Sequence, residues 1–310
     1  MTRFRGLLAL GLSLSLLALA APARADVVVP DDDGRPVSLP ATARRIVSLA
    51  PHVTELLYAA GAGERLVATV RYGDYPEAAK ALPVVGDAHS LDLERIVALK
   101  PDLVVVWMHG SAAQQIERLR ALKLPIFHSE PRHLADIGDS LRRLGRLAGT
   151  EAAASAAADR YDAELAALRT QYATRPPLRV FYQVWHKPLL TINDHHLIAD
   201  VVRVCGGVNV FGDQPALVPA ISTEAVLAAR PQVLATSTLD GTVDDSVALW
   251  RPFKSFEPVA KGALVTIPSD HISRHTPRIL LGARRMCEGF EQVRAGRPVK
   301  LPAIDTGRRS

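Results

Sequence analysis

From residue 26 onward, hydrophobic positions follow two alternating periods. Short apolar runs rich in β-branched residues read as buried strands at Arg45–Leu49, Leu66–Val70, Leu103–Trp107, Ile126–Phe127, Arg179–Val184, Val233–Thr236 and Leu264–Ile267. Between them, helical spacing predicts helices over 54–60, 94–99, 112–121, 134–147, 196–204, 223–229 and 277–293, with Pro51 read as the break before the first. Strands alternating with helices imply parallel sheets covered by helices. At the start, Val27-Val28-Val29 and Val37-Ser38-Leu39 flank Asp33-Gly34, the signature of a charged hairpin over 26–43.

One segment occurs twice. Glu94-Arg-Ile-Val-Ala-Leu-Lys-Pro101-Asp-Leu matches Glu224-Ala-Val-Leu-Ala-Ala-Arg-Pro231-Gln-Val, 130 positions later. In each copy a proline stops a helix and the chain enters a strand. The repeat predicts an α/β fold of two similar lobes, residues 44–149 and 176–296, each with a central, mostly parallel sheet. Residues 150–175 between them are Ala-rich, and Tyr161, Leu165, Leu168 and Tyr172 form an apolar stripe at helical spacing. At about 1.5 Å per residue such a helix spans on the order of 30 Å, enough to join two lobes stiffly. Large hinge closure is therefore not expected. Residues 297–310, rich in Pro and Arg, are expected to be a disordered tail.

The N-terminus changes the compartment. Arg3 and Arg5 precede a Leu/Ala-rich run that ends on Ala23-Arg24-Ala25, the layout of a cleaved export signal over residues 1–25. Its removal lowers the net charge from +5 to +2, and no basic block follows, so a nucleic-acid partner is not implied. Two cysteines, Cys205 and Cys287, favour one disulfide in an oxidising compartment; neither has a nearby Cys or His at zinc-ligand spacing.

The segments Arg45-Ile-Val-Ser-Leu-Ala-Pro-His-Val-Thr-Glu55, Tyr72-Gly-Asp-Tyr-Pro76, Leu93 to Leu103, Val204-Cys-Gly-Gly-Val-Asn-Val-Phe211 and Ser269-Asp270 to Ile279 resemble the cobalamin-binding proteins of ABC importers, a branch of the helical-backbone metal-chelate receptors. The likeness runs from Arg44 to about Val293, and the Glu94 segment is shared with haem and siderophore binders. It implies a class III periplasmic binding protein, two α/β lobes on one long α-helix, that captures cobalamin or a related corrinoid in the periplasm. It also implies delivery to an inner-membrane permease, with the corrinoid as cargo rather than cofactor, and a monomer without catalytic activity. Residue by residue, it implies a Cys205–Cys287 disulfide, permease docking through Glu94 and Glu224, and ligand contacts from Tyr72 and from Asp270, His271, Ile272, Ser273 and Arg274. A lone Glu in a helix's first turn is also explained by the helix dipole; its recurrence, one per lobe, favours docking.

Trp107 and Trp185 each end a strand pattern, where open α/β sheets bind ligands, although core or interlobe packing would serve as well. Where the family's best-known member has cleft tryptophans, this chain has Ala88, followed by His89, and Val218; His271 replaces another aromatic. These departures leave haem or a metal–siderophore chelate as the alternative cargo. His52, His89 and His271 are candidates to converge on it, but no metal-ligand spacing supports a protein-bound metal, and His195-His196 are adjacent. No nucleophile elbow, His-Glu-x-x-His or phosphate loop supports an enzyme.

Overall fold

The computed structural model describes residues 26–107, 113–238 and 245–299. Residues 1–25, expected to be an export signal, and residues 300–310 of the expected tail lie outside the described residues. The hairpin forms as β1 (Val27–Pro30) and β2 (Pro36–Leu39), antiparallel with Val27 opposite Leu39. The first lobe runs β3 (Ile46–Ser48), α1 (Pro51–Ala59), β4 (Leu66–Ala68), α2 (Leu93–Ala98), β5 (Leu103–Val106), α3 (Ala113–Ala121), β6 (Ile126–His128) and α4 (Leu134–Ala148). Then α5 (Glu151–Tyr172) crosses to the second lobe. That lobe holds β7 (Leu178–Gln183), β8 (Trp185–His186), β9 (Leu189–Leu190), α6 (Leu197–Val204), β10 (Gly207–Asn209) and α7 (Thr223–Ala229). It closes with β11 (Val233–Thr238), α8 (Glu257–Ala260), β12 (Leu264–Pro268), α9 (Ser269–Ile272) and α10 (Ile279–Arg294).

Both central sheets are parallel and share one strand order, β4-β3-β5-β6 in the first lobe and β10-β7-β11-β12 in the second. Each lobe's first strand lies between its second and third, so the direction of winding reverses beside it. Successive residues of a strand face opposite sides of its sheet. Ile46, Leu103, Val105, Val180, Tyr182, Val233 and Ala235 accordingly face a single core that runs through both lobes. Val47, Val104 and Val106 face the first lobe's outer layer, and Phe181 and Leu234 face the second's.

The shared core is organised by α5. Its buried residues, Ala154, Ala158, Tyr161, Leu165, Leu168 and Tyr172, recur every three or four positions and extend the predicted stripe by about two turns toward the N-terminus. Its first turns approach α4 so closely that a Cβ on Gly145 would overlap the methyl of Ala154. In the second lobe, the Cys205–Cys287 disulfide ties the end of α6 to α10.

The repeat is deeper than its sequence match. Asp92 caps α2 by accepting from Arg95 N, and Ser222 caps α7 by accepting from Ala225 N. At the other end, Arg45 donates from Nε and Nη2 to Leu99 O, while Arg179 donates to Arg230 O and Ala229 O. Lys100 and Arg230 both adopt positive φ, 47° and 45°. Asp102 and Gln232 then accept from the backbone N–H of Arg45 and Arg179. Two α-helices are thus capped at both ends by matching devices.

Two expectations change. α1 begins at Pro51 rather than after it, because proline at the first helical position loses no intrahelical hydrogen bond. After the predicted 196–204 helix, where no strand is expected, Gly207 opens strand β10. A Cβ there would lie 2.7–2.8 Å from Val202, Phe290 and Val180, so the strand is glycine-led for want of space.

Candidate functional site

Ligands of open α/β sheets bind beyond the carboxyl ends of the strands, where the winding reverses. In the first lobe, His52 follows β3, the Tyr72–Pro76 turn follows β4, Trp107 follows β5 and Ser129–Pro131 follow β6. These ends meet one arc of the second lobe, α9 and the residues leading into α10. The contact is built on charge. Glu55, on α1, is buried with its side chain 2% exposed. Its Oε1 accepts from Arg274 Nη1 at 2.7 Å and Arg278 Nη2 at 2.6 Å. Its Oε2 accepts from Arg278 Nε at 2.9 Å and Thr276 Oγ1 at 3.0 Å. Arg274 also reaches Asp74 at 3.3 Å and Asp270 at 2.9 Å, and the Arg278 guanidinium lies 3.7 Å from the Tyr75 ring centroid.

Beside this ion cluster lies a layer of rings. His52 meets Trp107 edge-on at 5.3 Å and His275 at 5.7 Å, and Trp107 and His275 are 6.2 Å apart. Among the described residues, His52 Nε2, Trp107 Nε1 and His275 Nδ1 have no hydrogen-bond partner. Burial, then the neighbouring His275 and Arg274, pushes the His52 pKa down to about 3 against the opposing pull of Ser129 and Glu130. Burial likewise brings His275 down to about 4, opposed by Glu130 and the Pro131 backbone. His196, which caps α6 by accepting from Ile198 N, is lowered to about 4 by burial and by His275. These imidazoles are neutral at pH 7.

The periplasmic binding protein family matches residues 46–271. The chain belongs to that family. A protein from Yersinia pestis (strain Pestoides F), named a vitamin B12-binding protein, is 39% identical over 258 residues, covering 83% of this chain and 90% of the relative. The solved structure of the periplasmic vitamin B12 binding protein of Vibrio cholerae aligns with a TM-score of 0.75 and 35% identity, over 81% of this chain and 98% of that one. A periplasmic heme-binding protein from Roseiflexus sp. RS-1 aligns with a TM-score of 0.70 over 81% of this chain and 98% of that one; at 23% identity, this likeness shows the fold alone.

Within this periplasmic binding protein the expected site residues are placed unequally. Tyr72 stands 67% exposed at the tip of its turn with φ at 67°, a conformation unfavourable to a residue bearing a Cβ. Trp185 is 47% exposed on β8, its Nε1 donating to Lys187 O. Asp270 and Ser273 are exposed, and His271 is half-buried, its pKa lowered by burial and by Arg278. Arg274 is already paired with three carboxylates. Trp107 is partly buried in the interlobe ring layer, the packing alternative for that residue.

One expected contact is corrected. The Ile272 side chain is fully buried in the shared core and offers a ligand no surface, because one face of the short helix α9 must cover the sheet. The three candidate histidines do not gather either. His52 is buried against Trp107 and His275, whereas His89 is exposed in a turn held by Asp87. Glu94 and Glu224 are exposed in the first turns of α2 and α7. Sequence reasoning missed Glu55, Asp74, Thr276 and Arg278. The available signals were the lone carboxylate of α1 and two arginines four residues apart.

Among the described residues, no helix is long and apolar enough to cross a membrane. No group of three or more His, Cys, Asp or Glu among them is arranged to hold a metal ion.

Proposed function

We propose that this protein captures cobalamin or a related corrinoid outside the cytoplasm and hands it to the permease of an ABC importer. One observation carries the reading: Tyr72–Pro76 and Asp270–Arg274, about 200 residues apart in sequence, are joined directly through Asp74 and Arg274. These are the two segments that the resemblance assigns to the ligand. They meet beyond the carboxyl ends of both sheets, where exposed Tyr72 and Trp185 supply aromatic surface and Asp270 and Ser273 supply polar groups. A flat, largely apolar macrocycle with a polar rim calls for that combination. Cobalamin is cargo, and no cofactor or protein-bound metal is required.

Glu94 and Glu224 are the docking carboxylates, one on each of two helices that share the same caps and the same place in their lobes. Residues 1–25 direct export and are removed, and the mature chain works as a monomer without nucleic acid. The test is titration of the mature protein, beginning at Asp26, with cyanocobalamin, haem and zinc by calorimetry and absorbance. Binding of cyanocobalamin supports the reading; tight haem binding without it replaces corrinoid by haem on the same fold. Charge reversal at both Glu94 and Glu224 should abolish uptake and leave ligand affinity intact, and unchanged uptake refutes the docking role.

A further inference from the structure

We infer that Glu55 is a positioning residue for the ligand site: without touching the ligand, it fixes the distance between the site's two walls. The inference deepens the proposed function and rests on it for the identity of the walls. One wall is the Tyr72–Pro76 turn of the first lobe, the other the Asp270–Arg274 arc of the second. Glu55 belongs to neither. It stands behind both, on α1, and is the buried point at which they are tied together.

The argument follows from where its bonds go. Four donors from the second lobe, one from Arg274 in the arc and three from Thr276 and Arg278 just after it, converge on this one carboxylate at 2.6–3.0 Å. Arg278 binds it through the two prongs of its fork, which fixes the guanidinium plane as well as its position. That plane lies against the Tyr75 ring, and Arg274 continues to Asp74, so both interactions reach the first wall. Asp74 and Asp270 are about half exposed, whereas Glu55 is buried and cannot be replaced by water. Neutralising Glu55 leaves two guanidinium groups facing one another in a desolvated seam, where, among the described residues, Arg274 alone of the two retains carboxylate partners. The arc then has reason to move away from the turn, and a site must be held to within about 0.5 Å to work.

The experiment compares Glu55→Gln, Glu55→Asp and Arg278→Lys in the full mature protein with its disulfide intact. Spin labels at Glu117 and Lys261, exposed positions of the two lobes, report interlobe distance without ligand. Titration with cyanocobalamin reports Kd. Glu55→Gln should lengthen or broaden the distance distribution and weaken binding about tenfold or more. Glu55→Asp, which keeps the charge but cannot reach every donor, should fall between Glu55→Gln and the parent. Arg278→Lys keeps a cation and loses the fork; it should shift the same two readouts less, and it carries the test alone if Glu55→Gln does not fold. A variant with lowered Tm but parental distances and a Kd within about twofold of the parent overturns the inference, because that is what a merely stabilising residue would give. If the parent itself fails to bind cyanocobalamin, the cobalamin reading falls, while the ligand-free distances still decide whether Glu55 sets the walls.

Discussion

Acidification from pH 7 to pH 5 should destabilise this protein through three histidines, His52 buried and His196 and His275 partly buried. Each folded-state pKa is depressed, to about 3 for His52 and about 4 for His196 and His275. The unfolded chain therefore binds protons that the folded chain refuses, and stability falls with pH. The contribution is complete above the unfolded value near 6.5 and drains away as pH drops toward the folded values. At pH 5 an unfolded imidazole is almost wholly protonated and its folded counterpart is not, a loss of about 2 kcal/mol per histidine. Three of them approach about 6 kcal/mol, as large as the whole stability of many domains. The interval is informative because ordinary carboxylates remain ionised down to about pH 4, so the histidines titrate there almost alone. Urea unfolding at several pH values between 7 and 5 should show a falling midpoint. The slope should be much reduced in the triple variant His52→Gln, His196→Asn, His275→Gln, in which Asn keeps an acceptor for the α6 cap; what remains belongs to His271, also lowered, and to His128. His128 provides the contrast. Burial opposes its charge, but Glu130 and Asp33 outweigh burial and raise its pKa, so its contribution persists in acid and is lost only on the alkaline side. A midpoint that is flat or rises on acidification, or a triple variant with the parental slope, would refute this account of the interlobe layer.

Reducing the Cys205–Cys287 bond opens a loop with a sequence separation of 82 and should cost about 4.5 kcal/mol in the chain-entropy view, read as the difference in urea stability with and without reductant. Arg45→Met and Arg179→Met each remove a cation from a helix C-terminus and should each lower stability by about 1 kcal/mol; matched losses would confirm that the two lobes use the same device. Gly145→Ala, a change ordinarily favourable in a helix by about 1 kcal/mol, should instead lower Tm, since the added methyl meets Ala154.

The fold was largely legible because its signals are local. Period-2 and period-3.6 patterns are written within single elements, and the copied segment at Glu94 and Glu224 announced two lobes. The α5 stripe was readable for the same reason, although Ala154 and Ala158 escaped because alanine does not stand out in an Ala-rich run. Elements without a pattern of their own were missed: β8 and β9 have two residues each, and β10 opens on a glycine whose reason is the proximity of Phe290. The site was less legible. Glu55 meets partners 219 to 223 positions away, and no local period encodes such a pairing. Resemblance brought the Asp270–Arg274 arc into view but could not sort its side chains. The fold around them buries Ile272 and leaves Ser273 outside.

The arrangement of charge argues for delivery without large motion. A receptor that closed by hinge bending would keep its interlobe contacts sparse and wet. Here the two lobes share one apolar core, a helix of six interlocking turns runs between them, and a buried carboxylate is bound by two arginines from across the seam. Separating the lobes would expose that core and strand those charges, and either change opposes wide opening. Glu94 and Glu224 sit on helices capped at both ends, so their spacing is a property of the same rigid body. A permease reading both carboxylates would therefore read the state of the seam as well. What loosens the seam, acid at the histidines or neutralisation of Glu55, should disturb ligand retention and docking together rather than one alone.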